Sequence, residues 1–280
     1  MHRQRDHVLS GEEQQAVDAW NLRTWAGPPE LKPRVYRNQR EKDVWYSCTV
    51  ENEYRLPDSF DADDVVIDLG SNIGAFATAA YARGSRSIYA FEIDAWHTEI
   101  AAVNLGDKRD GIQAYHAAVV RGDAGRARQY HYGGGETCFS WFGETVKSYS
   151  LDEILDEVKD PVRFLKIDIE GAEWSVLSTC TKLDRVQEIA GEFHTMSDGG
   201  VAELQNLPIT ISVDGLRSFL EGKGFAVEIV EKGATGNFYC KRMAPGPTPS
   251  EGVRRVEAQV EAAKDSLVGQ RPHVFFGKIE

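Results

Sequence analysis

The 280-residue chain has four cysteines and no paired spacing among them; Cys48, Cys138, Cys180 and Cys240 lie scattered, with no C-x-x-C. That pattern excludes a disulfide framework and a structural zinc site, and it reads as reduced thiols in a cytoplasmic protein. No apolar run approaches the roughly 20 residues that span a bilayer, so no membrane partner is expected. The first residues, Met1 to His7, are polar and lack the apolar centre of a secretory signal. Lysine and arginine total 32 against 44 acids, a formal charge of -12, and they form no basic cluster. General affinity for a nucleic-acid backbone is therefore not expected. What remains, 41% hydrophobic and 27% charged residues, is ordinary for a globular enzyme with one large core.

The most informative stretch is Val65-Val66-Ile67-Asp68-Leu69-Gly70-Ser71-Asn72-Ile73-Gly74. A β-branched apolar run predicts a strand buried on both faces, which feeds a glycine turn and then a helix. Gly70 and Gly74 allow a sharp turn and a close approach of backbone to ligand. A second strand, Ser87 to Phe91, ends in Glu92, where a carboxylate suits the two hydroxyls of a ribose. The glycine spacing is D-x-G-x-x-x-G, not the G-x-G-x-x-G of dinucleotide sites. Asp68 at that mouth would repel a pyrophosphate and suits a cationic ligand. S-adenosylmethionine, with a ribose and an amino group, meets both demands, whereas a dinucleotide-dependent oxidoreductase has the wrong glycine spacing here and would keep its last strand parallel.

A third strand of this kind is Val162-Arg163-Phe164-Leu165-Lys166-Ile167, followed by Asp168-Ile169-Glu170-Gly171-Ala172-Glu173. Ligands of doubly wound sheets sit beyond the carboxyl ends of the strands, so Asp168 and Glu170 fall where a reacting group would lie. Together with Leu151-Asp152-Glu153-Ile154-Leu155, the phrase K-I-D-I-E-G-A-E after D-L-G-S-N-I-G resembles the FkbM family of methyltransferases, from about Val65 to about Lys241. Ser71 stands where members of that family more often carry alanine. The resemblance implies an S-adenosylmethionine-dependent O-methyltransferase acting on a hydroxyl of a sugar, glycan or secondary metabolite. It also implies cofactor contacts from Asp68, Gly70, Ser71, Asn72, Gly74 and Glu92, with His116 and Ala117 near adenine.

The acceptor side is expected at Asp168, then Glu170, Lys166 and His194. Lys166 reads first as the ion-pair partner of a neighbouring acid, and Glu173 as a carboxylate at a helix start. His194, in an acid-x-histidine ending that the resemblance extends to, is a sensible base if its pKa lies near neutrality. Asp168, Glu170, Glu192 and His194 offer hard ligands for magnesium, but nothing in their spacing demands a metal and none is assigned.

Strand-helix alternation from Asp64 predicts a class I methyltransferase (Rossmann-like) α/β fold, with a doubly wound seven-stranded sheet, mostly parallel. Its strands are placed at 65–69, 87–92, 112–120, 162–167 and 188–193, with a helix at 213–222. A closing antiparallel hairpin joins 225–230 to 237–240. A further strand is placed at 127–132, and the loop at 133–135, with Glu136, Thr137, Ser140 and Trp141, is expected to form an acceptor wall. Residues 1–60 form an accessory segment, either lid or sheet cover. It has a helix from the capping box Ser10/Glu13 to Trp25 and a strand or hairpin over Asp43 to Tyr54. Residues 61–243 are the catalytic domain, and 244–280 a linker with an apolar-faced helix (Val253, Val256, Val260, Ala263, Leu267) that suits self-packing or a homodimer. The alternative to an enzyme is a catalytically silent methyltransferase-like scaffold. Intact Asp68, Glu92 and Asp168 weigh against it.

Overall fold

The architecture is built on a seven-stranded sheet whose central strand, Val65–Leu69, is buried at every position. The computed structural model describes residues 27–122, 129–133, 136–138, 144–195 and 206–244. The helix expected to end at Trp25, the loop residues Ser140 and Trp141, and the tail helix lie outside them. By internal contacts the chain forms two units, Met1–Arg242 and Met243–Glu280.

The main sheet has the order β3–β2–β1–β9–β10–β12–β11. Its members are β1 (Val65–Leu69), β2 (Ser87–Glu92), β3 (Ile112–His116), β9 (Val162–Ile167), β10 (Val186–His194), β11 (Phe225–Glu231) and β12 (Thr235–Arg242). Neighbours pair in parallel from β3 to β10, and the last two strands pair antiparallel, as the sequence predicts. The order in which successive strands are added reverses between the adjacent parallel strands β1 and β9, the topological switch point at which such sheets bind ligands.

Both faces are covered. On one, α4 (Leu151–Val158), α5 (Glu173–Thr179) and α6 (Val213–Gly222) pack a core that includes Leu155, Trp174 and Leu220. On the other, α1 (Gln39–Tyr46), α2 (Ala75–Ala82) and α3 (Ala95–Leu105) enclose Trp45, Phe76, Ile100 and Phe164. The L-D-E-I-L phrase opens α4, where Ser150 and Glu153 form a capping box. In α2, six consecutive residues from Ala75 to Ala80 are buried; most are alanine, which lets this helix sit close to the sheet. Among the described residues no helix is long and apolar enough to cross a membrane.

Two expectations are corrected. Residues 43–54 are not a strand: α1 runs to Tyr46 and continues as a π-helical turn over Ser47–Glu51. The aromatic residues there suggest alternation, but the buried positions Glu41, Trp45, Cys48 and Thr49 follow helical spacing, and Asn38 caps the helix by accepting from Glu41 N at 2.9 Å. The single strand expected over 112–120 breaks after His116. Ala117 N donates to Glu92 O, and β4 (Ala118–Val120) leaves the main sheet to pair with β8 (Ser148–Ser150). The strand expected at 127–132 is β5 (Gln129–Gly133), antiparallel to β6 (Glu136–Cys138) and β7 (Glu144–Thr145).

Candidate active site

A cavity of about 270 Å³ lies at the carboxyl ends of β1, β2 and β9, closed on one side by residues 37–54. Its floor is the turn after β1. Gly70 has φ +79°, and a Cβ there would lie 1.8 Å from the Asp168 carbonyl oxygen, so glycine is required by the neighbouring strand end as much as by any ligand. Gly70 N and Ser71 N both donate to Phe91 O at 2.9 Å, which ties the turn to β2. Gly74, at φ +86°, starts α2.

Glu92 stands at the end of β2, buried, with one edge on the cavity. Its Oε2 accepts from Asn72 N at 2.7 Å and its Oε1 from Asp94 N at 2.8 Å. Burial pushes its pKa up while these amides pull against that. Each ionised oxygen keeps a second lone pair for a ligand hydroxyl.

Beneath the turn lies an ion pair. Asp68 is fully buried, and its Oδ1 sits 3.3 Å from Lys166 Nζ. Neither Asp68 oxygen accepts a well-aligned hydrogen bond from a described group. Lys166 also donates to Leu69 O (3.2 Å) and Gly70 O (2.5 Å). Burial disfavours its charge, but Asp68 and Asp168 outweigh that and hold its pKa above the ordinary lysine value. Lys166 is thus a permanent cation that splints the turn, not a proton acceptor.

At the other end, Asp168 Oδ2 accepts from the Tyr54 hydroxyl at 2.8 Å. Tyr54 is itself held by its neighbours. Arg55 pairs with both Glu228 oxygens at 2.8 Å and stacks on Tyr239, whose hydroxyl donates to Glu53 O. Glu170 adopts φ +53°, and burial together with Asp168 pushes its pKa up to about 7, against the pull of His194. His194 has a carboxylate at each ring nitrogen: Glu173 at 3.3 Å from Nδ1 and Glu170 at 3.4 Å from Nε2. Burial lowers its pKa, but these acids prevail and raise it to about 9. It is an imidazolium at neutral pH, which corrects the expectation of a near-neutral base. Glu173 is almost wholly buried and also accepts from Ile169 N and Gly171 N, fixing the turn that carries Glu170.

Of the residues expected at the site, Gly70, Ser71, Asn72, Glu92, Ala117, Lys166, Asp168 and Glu170 line the cavity. Asp68, Gly74, His116 and His194 do not. Asp68 lies under the turn against Lys166, and Gly74 packs toward Ala101 and Leu105. The exposed His116 turns its Nε2 to Ile93 O at 3.0 Å. Asp168, Glu192 and His194 each bring a ligand atom within 4.8 Å of the others. To bind a metal there, His194 would have to give up its contact with Glu170 or with Glu173, and no metal is assigned. Sequence reasoning missed Arg37, Glu41, Tyr54 and His97, all on the cavity wall. The spacing Asn38-x-x-Glu41 is the one local signal that announces part of that wall.

Residues 68–227 match the methyltransferase FkbM domain. The chain belongs to the FkbM methyltransferase family. The family's match starts at Asp68 and takes in the Gly70–Gly74 turn, Glu92 and the whole Lys166–His194 region. Among curated proteins it is similar to the AMB antimetabolite synthetase AmbE of Pseudomonas aeruginosa, 25% identical over 235 residues, covering 66% of this chain and 11% of AmbE. Among solved structures it is similar to an FkbM methyltransferase from Methylobacillus flagellatus, at 15% identity and a TM-score of 0.45 over 70% of this chain and 47% of that one. It is also similar to TrmK of M. capricolum in complex with S-adenosyl-homocysteine, at 10% identity and a TM-score of 0.38 over 85% and 89%. The chain thus spans about a tenth of AmbE and about half of the Methylobacillus protein.

Proposed function

We propose that this FkbM-family protein is an S-adenosylmethionine-dependent O-methyltransferase that methylates a hydroxyl of a sugar, glycan or secondary metabolite. The observation that carries the reading is one cavity with Glu92 at one end, Asp168 at the other and the Gly70–Asn72 turn between them. S-adenosylmethionine supplies an electrophilic methyl carbon. The free lone pairs of Glu92 suit its ribose, and the glycine turn leaves room beside the backbone where a side chain would intrude.

The chain's own task is alignment and proton removal. Lys166 fixes the turn, and Glu92 braces it from β2. Tyr54 fixes Oδ2 of Asp168, leaving Oδ1 to take the acceptor's proton. Glu170, with a pKa of about 7, is a second carboxyl of the right strength, and His194 stabilises its ionised form from outside the cavity. The oxygen acceptor rests on family membership, since the residues alone specify only a methyl transferase.

Incubation with methyl-labelled S-adenosylmethionine and a panel of glycosides, free sugars and hydroxylated polyketides tests this reading. Label in an alkali-stable methyl ether, lost in Asp168→Asn, supports it. Label only in amines or carboxyls would overturn the hydroxyl assignment.

A further inference from the structure

Residues 37–54 close the ribose end of the cavity, and a histidine joins them to the catalytic fold. His97 lies in the first turn of α3, lines the cavity, and is mostly buried. Its Nε2 is 3.7 Å from Glu41 Oε1 on α1, and its Nδ1 is 3.7 Å from Oδ1 of Asp94, the residue that caps α3. Glu41 is also buried, and accepts from Arg37 N (2.6 Å), Arg37 Nε (2.8 Å) and Asn38 Nδ2 (3.3 Å). Behind Asp94 stands Glu92, whose Oε1 accepts from Asp94 N. Three carboxylates therefore converge at this end of the cavity, with His97 and Arg37 as the cations among them. Two further contacts tie α3 to the chain around the start of α1: the Arg37 guanidinium lies 5.9 Å from the Trp96 ring centre, and Asn104 accepts from Arg34 N and Val35 N and donates to Val35 O.

We propose that protonated His97 is a positioning residue of the cofactor site, latching α1 over the ribose end by bridging Glu41 and Asp94. The inference rests on the S-adenosylmethionine reading above. Its physical content is charge balance in a half-dry space. With the imidazolium present, Glu41, Asp94 and Glu92 tolerate one another. Without it they repel, with Arg37 beside Glu41 and the more distant Lys166 acting on Glu92 left to oppose them, and the start of α1 withdraws from Glu92. The same neighbours favour the charged ring: burial lowers the pKa of His97, but Glu41, Glu92 and Asp94 raise it above the ordinary value, against a smaller opposing effect of Arg37. Glu41 is held down to about 2, so it stays ionised throughout the working range. The latch is closed at low pH and opens as His97 loses its proton.

Calorimetric titration with S-adenosylhomocysteine between pH 6 and 9.5 tests this, on the wild type, His97→Gln and Glu41→Gln, each checked for an unchanged thermal transition. The wild type should lose about ten-fold in affinity as pH rises through the histidine's titration. His97→Gln should bind about ten-fold more weakly at pH 6 and show no such fall. Glu170, His194 and the ligand's own amino group titrate in both proteins, so the difference between the two profiles isolates His97. If His97→Gln does not fold, Glu41→Gln carries the test, and must reduce both the affinity at pH 6 and the pH dependence. Identical profiles for wild type and variant overturn the latch. Failure of the wild type to bind at any pH overturns the cofactor reading itself, a different outcome from binding that the variants leave unmoved.

Discussion

Replacing Lys166 by methionine should cost this fold about 3–5 kcal/mol, the usual scale for removing one member of a buried pair. The structure gives reasons for the upper part of that range. Lys166 is only 3% exposed and Asp68 is 0% exposed, so no solvent takes over the lost charge. Asp68 accepts no well-aligned hydrogen bond from a described group, only the weaker pull of the Ala77 amide favours its charge besides Lys166, and the carbonyls of Leu69 and Gly70 lose a donor at the same moment. Methionine fills much of the lysine stem's volume, so the loss reports the charge and its hydrogen bonds more than a cavity. Urea unfolding at pH 7 measures it directly, and the thermal midpoint should drop by roughly 6–20 °C.

The sign of the pH effect is a second check. Burial already raises the pKa of Asp68 in the wild type while Lys166 pulls against it. Without Lys166 the folded protein holds a proton on Asp68 that the unfolded chain releases. The variant should therefore regain stability as pH falls from 8 toward 5. Asp68→Asn combined with Lys166→Met removes both charges and should recover at least about half of the loss. A loss below about 1 kcal/mol, or a double variant no better than the single one, refutes the reasoning.

Other perturbations probe the rest of the site. Gly70→Ala places a Cβ 1.8 Å from Asp168 O at φ +79°, so S-adenosylhomocysteine binding should vanish in calorimetry and stability should fall by at least about 2 kcal/mol. Tyr54→Phe removes the hydroxyl that holds Asp168, and should lower methyl transfer about ten-fold in the labelled assay with cofactor affinity unchanged; an unchanged rate would remove Tyr54 from the mechanism. His194, raised from 6.5 to about 9, adds stability that is complete below pH 6.5 and is lost as pH climbs through 9. The unfolding free energy from urea titrations should fall across that window by no more than about 3 kcal/mol more in the wild type than in His194→Gln, in which Glu170 and His97 still titrate.

The parts of this protein that were legible in its sequence are those set by short-range pattern. β1, β2 and β9 are runs rich in β-branched or aromatic residues, each with an acid within one residue of its carboxyl end, and the run before Gly70 could be little else. The β11–β12 hairpin is announced by Lys232–Gly236 between two alternating segments. Residues 43–54 were misread because aromatic residues favour strands on average, whereas here Trp45 is placed by helical spacing and by its indole N–H donating to Leu31 O. The break after His116 depends on Glu92 and Lys147 offering carbonyls to Ala117 and Ala118, a fact of packing with no local sign. The same holds for the chemistry. That Lys166 would meet an acid was readable, but the contact from Tyr54 to Asp168 spans 114 positions, and that from Glu41 to His97 joins an accessory helix to the core. The altered acidity of His194 follows from Glu170 and Glu173 arriving on its two sides. Sequence placed those acids near the histidine but not around it.

The central claim is that the cavity at the switch point between β1 and β9 holds S-adenosylmethionine, with Glu92 on its ribose. Calorimetric titration of S-adenosylhomocysteine into the wild type and into Glu92→Ala at pH 7 tests it most directly. The account predicts one site per chain with micromolar affinity, weakened at least about 100-fold in the variant. A folded wild-type protein that takes up no S-adenosylhomocysteine, or a Glu92→Ala variant that binds it as tightly, would contradict the account.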